Sequence, residues 1–190
     1  DPLVYEEILK SCNKIVGIGE CGLDYYRLPL GEEKKMRNKQ WVAALAQFEF
    51  AAKHRLPVVV HCRDAHEDMI SVIKEANASF SNVRRGVIHC FTGNYAEAKA
   101  YIQEGWMISF SGIAVFADEV GDLAAKLPLE SLLIETDSPY LTPPPYRGKR
   151  NEPSYVRYVA EDLARRRNMS LEEFASAVTA NACKMFSINV

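Results

Sequence analysis

Four polar residues stand where short, β-branched apolar runs give out. Glu20 follows residues 15–19, His61 follows 58–60, His89 follows 86–88, and Asp137 closes the run that starts at Leu132. Two imidazoles and two carboxylates make a metal ligand set: mixed N/O donors suit Zn2+, Mn2+ or Fe2+, and a bridging carboxylate also admits Mg2+. Any one such residue is as readily a hydrogen-bonded structural group. Together they are harder to explain that way, because a half-buried carboxylate beside imidazoles is costly without a balancing cation. Cys21, Cys62 and Cys90 each follow a candidate ligand by one residue. Strand alternation turns them to the opposite face, where they are expected to pack under helices as small apolar residues. His54, closing a helix, and His66, opening one, fall outside the pattern and are expected at the surface.

The elements that must position these residues alternate strand with helix. A strand over 15–20 precedes a helix carrying Trp41, Ala44, Leu45, Phe48, Ala51 and Ala52 on one face. A strand at 58–61 precedes a helix with Met69, Ile70, Ile73 and Ala76. A strand at 86–90 precedes one opening near Asn94 and closed by Gly105. A fourth strand spans 106–110, a helix through Val120, Leu123, Ala124 and Leu127 stops at Pro128, and a fifth strand spans 132–137. Two helices close the chain, the last opened by the capping box Ser170–Glu173. Each crossover must return the chain to the same end of the sheet, so the strands pair in parallel. Side chains at the carboxyl ends of such strands converge on one ligand site. Two α/β architectures fit the pattern: a doubly wound open sheet, or part of a (β/α)8 barrel.

The 23 basic and 25 acidic residues among 190 leave a net charge of −2, which argues against electrostatic wrapping of nucleic acid but not against a transient catalytic encounter with it. Five widely spaced cysteines without a C-x-x-C read as reduced thiols of a cytoplasmic or nuclear compartment rather than a disulfide scaffold. No apolar run reaches the roughly 20 residues that span a bilayer, so no membrane partner is expected.

Five segments together carry a family resemblance: residues 19–26 (GECGLDYY), 57–65 (PVVVHCRDA), 89–93 (HCFTG), 135–141 (ETDSPYL) and 147–153 (RGKRNEP). In this order and spacing the chain resembles the TatD family of metal-dependent deoxyribonucleases. The resemblance implies a (β/α)8 TIM barrel of the metal-dependent hydrolase type, a site for one or two divalent ions, Mg2+ first and Zn2+ or Mn2+ as alternatives, and hydrolysis of DNA. It casts Glu20 as the carboxylate shared between ions and His61 and His89 as the histidines of one position. Asp137 becomes ligand of the other ion and acceptor of a proton from the attacking water, with Glu135 supporting from behind. Family members begin with a strand ending in Asp-x-His-x-His, whereas this sequence contains no H-x-H. Its opening residues match the helix before the family's fourth strand. The chain is therefore expected to be one catalytic domain carrying about five of the eight strands, with roughly 60 or more residues preceding it in the functional protein.

Within that frame Arg63, two after His61 on the same strand face, can meet a phosphate as a bidentate donor or pair with Asp24 or Glu135. Tyr25 and Tyr26 can stack a base. Arg147 and Asn151 sit on the loop behind the proline run at 143–145, placed for substrate contact, with Asn151 also expected to cap the helix starting near Pro153. Arg165–Arg167 reads as a solvated helix end. The reading that leads is exonucleolytic trimming of single-stranded DNA ends. D-aminoacyl-tRNA deacylation, or other ester or amide hydrolysis at the same site, is the second. A catalytically silent fragment or interaction module is the third.

Overall fold

The structure is a computed structural model that describes residues 2–83 and 85–189. Helix α1 (Pro2–Ser11) leads to β1 (Ile18–Asp24), α2 (Glu33–His54), β2 (Val58–Arg63), α3 (His66–Ser79), β3 (Val87–Ile88) and α4 (Tyr95–Gln103). Then come β4 (Met107–Phe110), the short α5 (Ile113–Phe116), α6 (Asp118–Lys126), β5 (Leu132–Ile134), α7 (Val156–Arg166) and α8 (Leu171–Phe186). The strands form one parallel sheet in the order β1-β2-β3-β4-β5. That order separates the two architectures. A doubly wound sheet reverses its strand order at a switch point, whereas here each strand is added beside the last, as along the wall of a barrel.

Alternation sorts the side chains of each strand. Val58, Val60 and Cys62 of β2 are buried toward the helices, while Val59 and His61 are half-buried and Arg63 is exposed on the other face. The helix-side core joins Leu23, Val60, Ile88, Ile108 and Leu132 to Phe48 of α2 and Met69, Val72 and Ile73 of α3. Each large side chain so enclosed contributes about 1.5–3 kcal/mol. Helix boundaries follow local chemistry: capping boxes Asn94–Glu97 and Ser170–Glu173 open α4 and α8, and Arg55, at φ 54°, ends α2 in a left-handed cap.

Several elements differ from the sequence expectation. The first strand runs to Asp24 rather than stopping at Glu20, because its ladder with β2 continues as far as the pair Asp24–Arg63. The third and fifth strands are shorter than expected. Single backbone bonds, His89 N–H to Val60 O at 2.9 Å and Glu135 N–H to Phe110 O at 3.0 Å, carry the pairing one residue further. His66 is buried, not solvated, with only 8% of its surface exposed. The Arg165–Arg167 run is mostly structural: Arg166 binds Asp118, Asp122 and Asp162. Arg167 Nη1 donates to the carbonyls of Ala124, Ala125 and Leu127, closing α6. Among the described residues no helix is long and apolar enough to cross a membrane.

Candidate metal centre

Glu20 reaches the inner face of the sheet through a bulge. The register pairs Gly19 with Val59 and Cys21 with Val60, so Glu20 is an extra residue on β1, and such an insertion re-aims the side chain it carries. Cys21 and Leu23 then turn to the core, leaving Gly22 and Asp24 on Glu20's side. Gly22 pairs with His61, and a Cβ at Gly22 would lie 1.9 Å from the His61 carbonyl oxygen, so only glycine allows the strands to meet there. His89 stands just past β3. Asp137 stands past β5 in a left-handed conformation (φ 54°), its carbonyl accepting the Tyr140 N–H at 2.9 Å.

Three donors converge: one atom each of Glu20, His61 and His89 lies within 4.8 Å of the other two. His89 Nε2 is 2.9 Å from Glu20 Oε2 and 3.4 Å from His61 Nδ1, and His61 Nδ1 is 3.9 Å from Glu20 Oε1. Donors about 2.1 Å from one divalent ion stand roughly 3.0–3.4 Å from one another, so the triad needs only a small contraction to hold a cation. The far nitrogens are occupied by carboxylates. His61 Nε2 meets Asp24 Oδ2 at 3.2 Å, and His89 Nδ1 meets Glu135 Oε1 at 3.1 Å. Glu135 is itself held by the buried Ser109, whose hydroxyl donates to Oε2 at 2.6 Å. Metal-bound histidines characteristically give their second nitrogen to a carboxylate in this way.

Electrostatics agree. Burial by itself would lower the His89 pKa, but the hydrogen bond and charge of Glu135, joined by Glu20 and Asp137, outweigh it and leave the imidazole above its ordinary value. Burial raises the Asp137 carboxyl; the nearby histidines offset this in part, and Glu135 and Glu20 add to it. Burial pushes the thiols of Cys21, Cys62 and Cys90 up to about 12, so they are protonated at neutral pH.

The cavity around the triad has a volume of about 740 Å³, and its walls include Tyr26, Arg63, Asp137 and Tyr140. Arg63 lies flat on Tyr26, 3.5 Å from the ring centroid, instead of pairing with Asp24 or Glu135 as one sequence reading had it. Other expected site residues are elsewhere. Tyr25 turns away and donates its hydroxyl to Asp68 Oδ2 at 2.8 Å. Arg147 packs over Phe116 at 3.8 Å and binds the Thr142 carbonyl. Asn151 is 2% exposed, and its side chain does not cap the short helical turn that begins at Pro153. Its Nδ2 donates to the carbonyls of Thr136 and Tyr140, bracing the loop that carries Asp137. Cys90 does not go under a helix, because β3 has already ended. It adopts φ 46°, lines the cavity and bonds Ser111 Oγ at 3.1 Å. Ser109 escaped the sequence reading, and Asp24 entered it only as a possible partner of Arg63. Its place beside His61 is legible only once β1 is extended, as the residue four beyond Glu20 on the same strand face.

An arc of parallel strands bearing an N/O donor triad on its inner face, ringed by carboxylates, defines a metal-dependent hydrolase of the TIM-barrel type. The family model for TatD related DNase matches residues 4–187, and the chain belongs to that family. It is 40% identical over 191 residues to the uncharacterized metal-dependent hydrolase YabD of Bacillus subtilis, covering 100% of this chain and 72% of that protein. Identity is 34% over 194 residues to the 3'-5' ssDNA/RNA exonuclease TatD of Citrobacter rodentium, covering 96% of this chain and 69% of the relative. The crystal structure of YjjV, a TatD homologue from Escherichia coli, superposes with a TM-score of 0.88 at 28% identity, over 99% of this chain and 70% of that one.

Proposed function

We propose that this hydrolase cleaves phosphodiester bonds at single-stranded DNA ends, using Mg2+ held by Glu20, His61 Nδ1 and His89 Nε2. The observation that carries the reading is the convergence of those three donors with carboxylates behind both imidazoles. The relative named a 3'-5' ssDNA/RNA exonuclease supports the substrate class. A divalent ion there supplies neutralisation of the phosphate oxygens and acidification of water. The chain's own residues supply the rest. Asp137, its carboxyl raised by burial, accepts a proton from the attacking water at its carboxylate oxygen and is the residue nearest in kind to a second ligand. Arg63 donates to a phosphate oxygen from its shelf on Tyr26, and Tyr140, 69% exposed, offers a ring face to an unpaired base.

Two further parts belong to the same reading. The strands β1 and β5 are sheet edges, and we place them in a barrel closed by further strands, in keeping with relatives of which the chain spans 72% and 69%. The five free cysteines support a reducing compartment. The test is a side-by-side assay on 3'-labelled single-stranded and duplex DNA and on D-aminoacyl-tRNA, with Mg2+ and with chelator. Mg2+-dependent shortening of the single strand is expected. Deacylation without shortening would replace this reading with an ester hydrolase.

A further inference from the structure

We propose that Gln40 and Asp24 form a positioning chain that sets the tautomer and aim of His61, so that Nδ1 and not Nε2 is offered to the metal. The inference rests on Glu20, His61 and His89 being metal ligands, and adds how one of them is held.

The chain of contacts begins on α2. Gln40 Oε1 accepts the Asp24 N–H at 2.7 Å, and Gln40 Nε2 donates to the Asp24 carbonyl at 2.8 Å. One side-chain amide thus satisfies both backbone groups of a residue on an edge strand of the sheet, where a neighbouring strand would otherwise serve. The two bonds also fix which end of the amide is which, since a flipped Gln40 would oppose donor to donor and acceptor to acceptor. With its backbone clipped, Asp24 divides its carboxylate: Oδ1 accepts the Tyr26 N–H at 2.9 Å, and Oδ2 faces His61 Nε2 at 3.2 Å. A carboxylate only accepts, so Nε2 must carry the proton and the lone pair of the neutral ring lies on Nδ1, the nitrogen 3.4 Å from His89 Nε2. His89 is the mirror case: Glu135 takes Nδ1–H, and Nε2 is the nitrogen turned toward Glu20 and His61. The two imidazoles therefore present opposite nitrogens to one point because opposite nitrogens are claimed from behind. Gly22, with no side chain to collide with the His61 carbonyl, lets the strand carrying Asp24 lie directly against the strand carrying His61.

Asp24→Asn is the sharp variant. It keeps shape and volume, but one oxygen cannot accept from both Tyr26 N–H and His61 Nε2–H. If the oxygen stays with Tyr26, the amide NH2 confronts Nε2 and favours the wrong tautomer. The experiment titrates the metal-free protein with Mn2+ and reads the His61 tautomer from its imidazole 15N shifts, for wild type, Asp24→Asn, Gln40→Ala, Glu20→Gln and His89→Ala, with thermal melts as the check on folding. The wild type is expected to show Nε2–H. Asp24→Asn is expected to shift it toward Nδ1–H and to weaken Mn2+ by about 10–100-fold, with Gln40→Ala weakening it less but measurably. Mn2+ affinity within twofold of wild type and an unchanged tautomer in Asp24→Asn, while Glu20→Gln and His89→Ala lose Mn2+, overturns the positioning chain alone. Unweakened Mn2+ binding in Glu20→Gln and His89→Ala overturns the ligand assignment and this proposal with it.

Discussion

Two cavities of nearly equal size, about 740 and 720 Å³, share Asp64 and Thr92 in their walls, and each contains histidine and several acids. In the first, one donor atom each from Glu20, His61 and His89 faces the other two, with a second carboxylate behind each imidazole. In the second, the histidine and two of the acids are already engaged with other partners. His66 Nδ1 meets Tyr101 Oη at 3.1 Å and Cys62 Sγ at 3.3 Å, Asp68 receives the Tyr25 hydroxyl, and Glu97 closes the cap of α4. The pKa values of buried His66 and half-buried His89 accordingly shift in opposite directions. Burial lowers His66, with Glu97 and Asp64 offsetting it only in part, whereas the carboxylates around His89 overcome the same penalty. Neither volume nor the number of acids marks the site; what marks it is the convergence of three donor atoms on one point, two of them on imidazoles held from behind by carboxylates.

The strongest way to break this contrast is to neutralise one acid in each cavity. Glu20→Gln should abolish metal-dependent hydrolysis by about 10³-fold or more, since a metal's charge stabilisation is worth several kcal/mol. Glu119→Gln, in the wall of the second cavity, should leave turnover within about twofold of wild type, in keeping with the small effects of surface changes. Equal losses would erase the distinction. Next in size is Asp137→Asn, which keeps the side chain's shape but not its basicity. Turnover should fall at least about 10²-fold with the melting temperature unchanged. Unaltered turnover would move the proton acceptor elsewhere.

A smaller effect separates two residues that the sequence treats alike as substrate contacts. Arg63→Ala should weaken single-stranded DNA binding by roughly tenfold, the scale of one charge-assisted hydrogen bond. Tyr25→Phe, which loses only the bond to Asp68, should change binding by less than about twofold. Smallest is the pH effect of His66. Its folded pKa is depressed, so the unfolded chain binds the proton more tightly. The stability it permits is complete above about pH 6.5 and declines as pH falls below that value. Thermal melts of wild type should therefore drop on acidification through this window more steeply than those of His66→Gln. Parallel curves would assign the acid loss to other groups.

The triad of Glu20, His61 and His89 was legible because each stands where an apolar run ends, and strand direction alone brings such residues together; Asp137, read with them, lines the same cavity but lies outside the triad. Strand order could not be read from periodicity; it needed the observed sequential pairing. The extent of β1 was hidden by Gly19 and Gly22, which look like chain breaks in the sequence but serve a bulge and a close strand contact. With β1 cut short, Asp24 could not be seen as His61's partner, nor Tyr25 and Tyr26 sorted into separate cavities. Asn151 and the Arg166–Arg167 pair were misjudged for a different reason. Polar side chains that bind distant backbone carbonyls or the acids of another helix leave no local signal.

Anomalous diffraction from crystals of the protein grown with Mn2+ would test the central claim most directly. A single strong peak about 2.0–2.3 Å from a Glu20 carboxylate oxygen, His61 Nδ1 and His89 Nε2 is the expected result. A peak among the acids of the second cavity, or one bound through His61 Nε2, would contradict it.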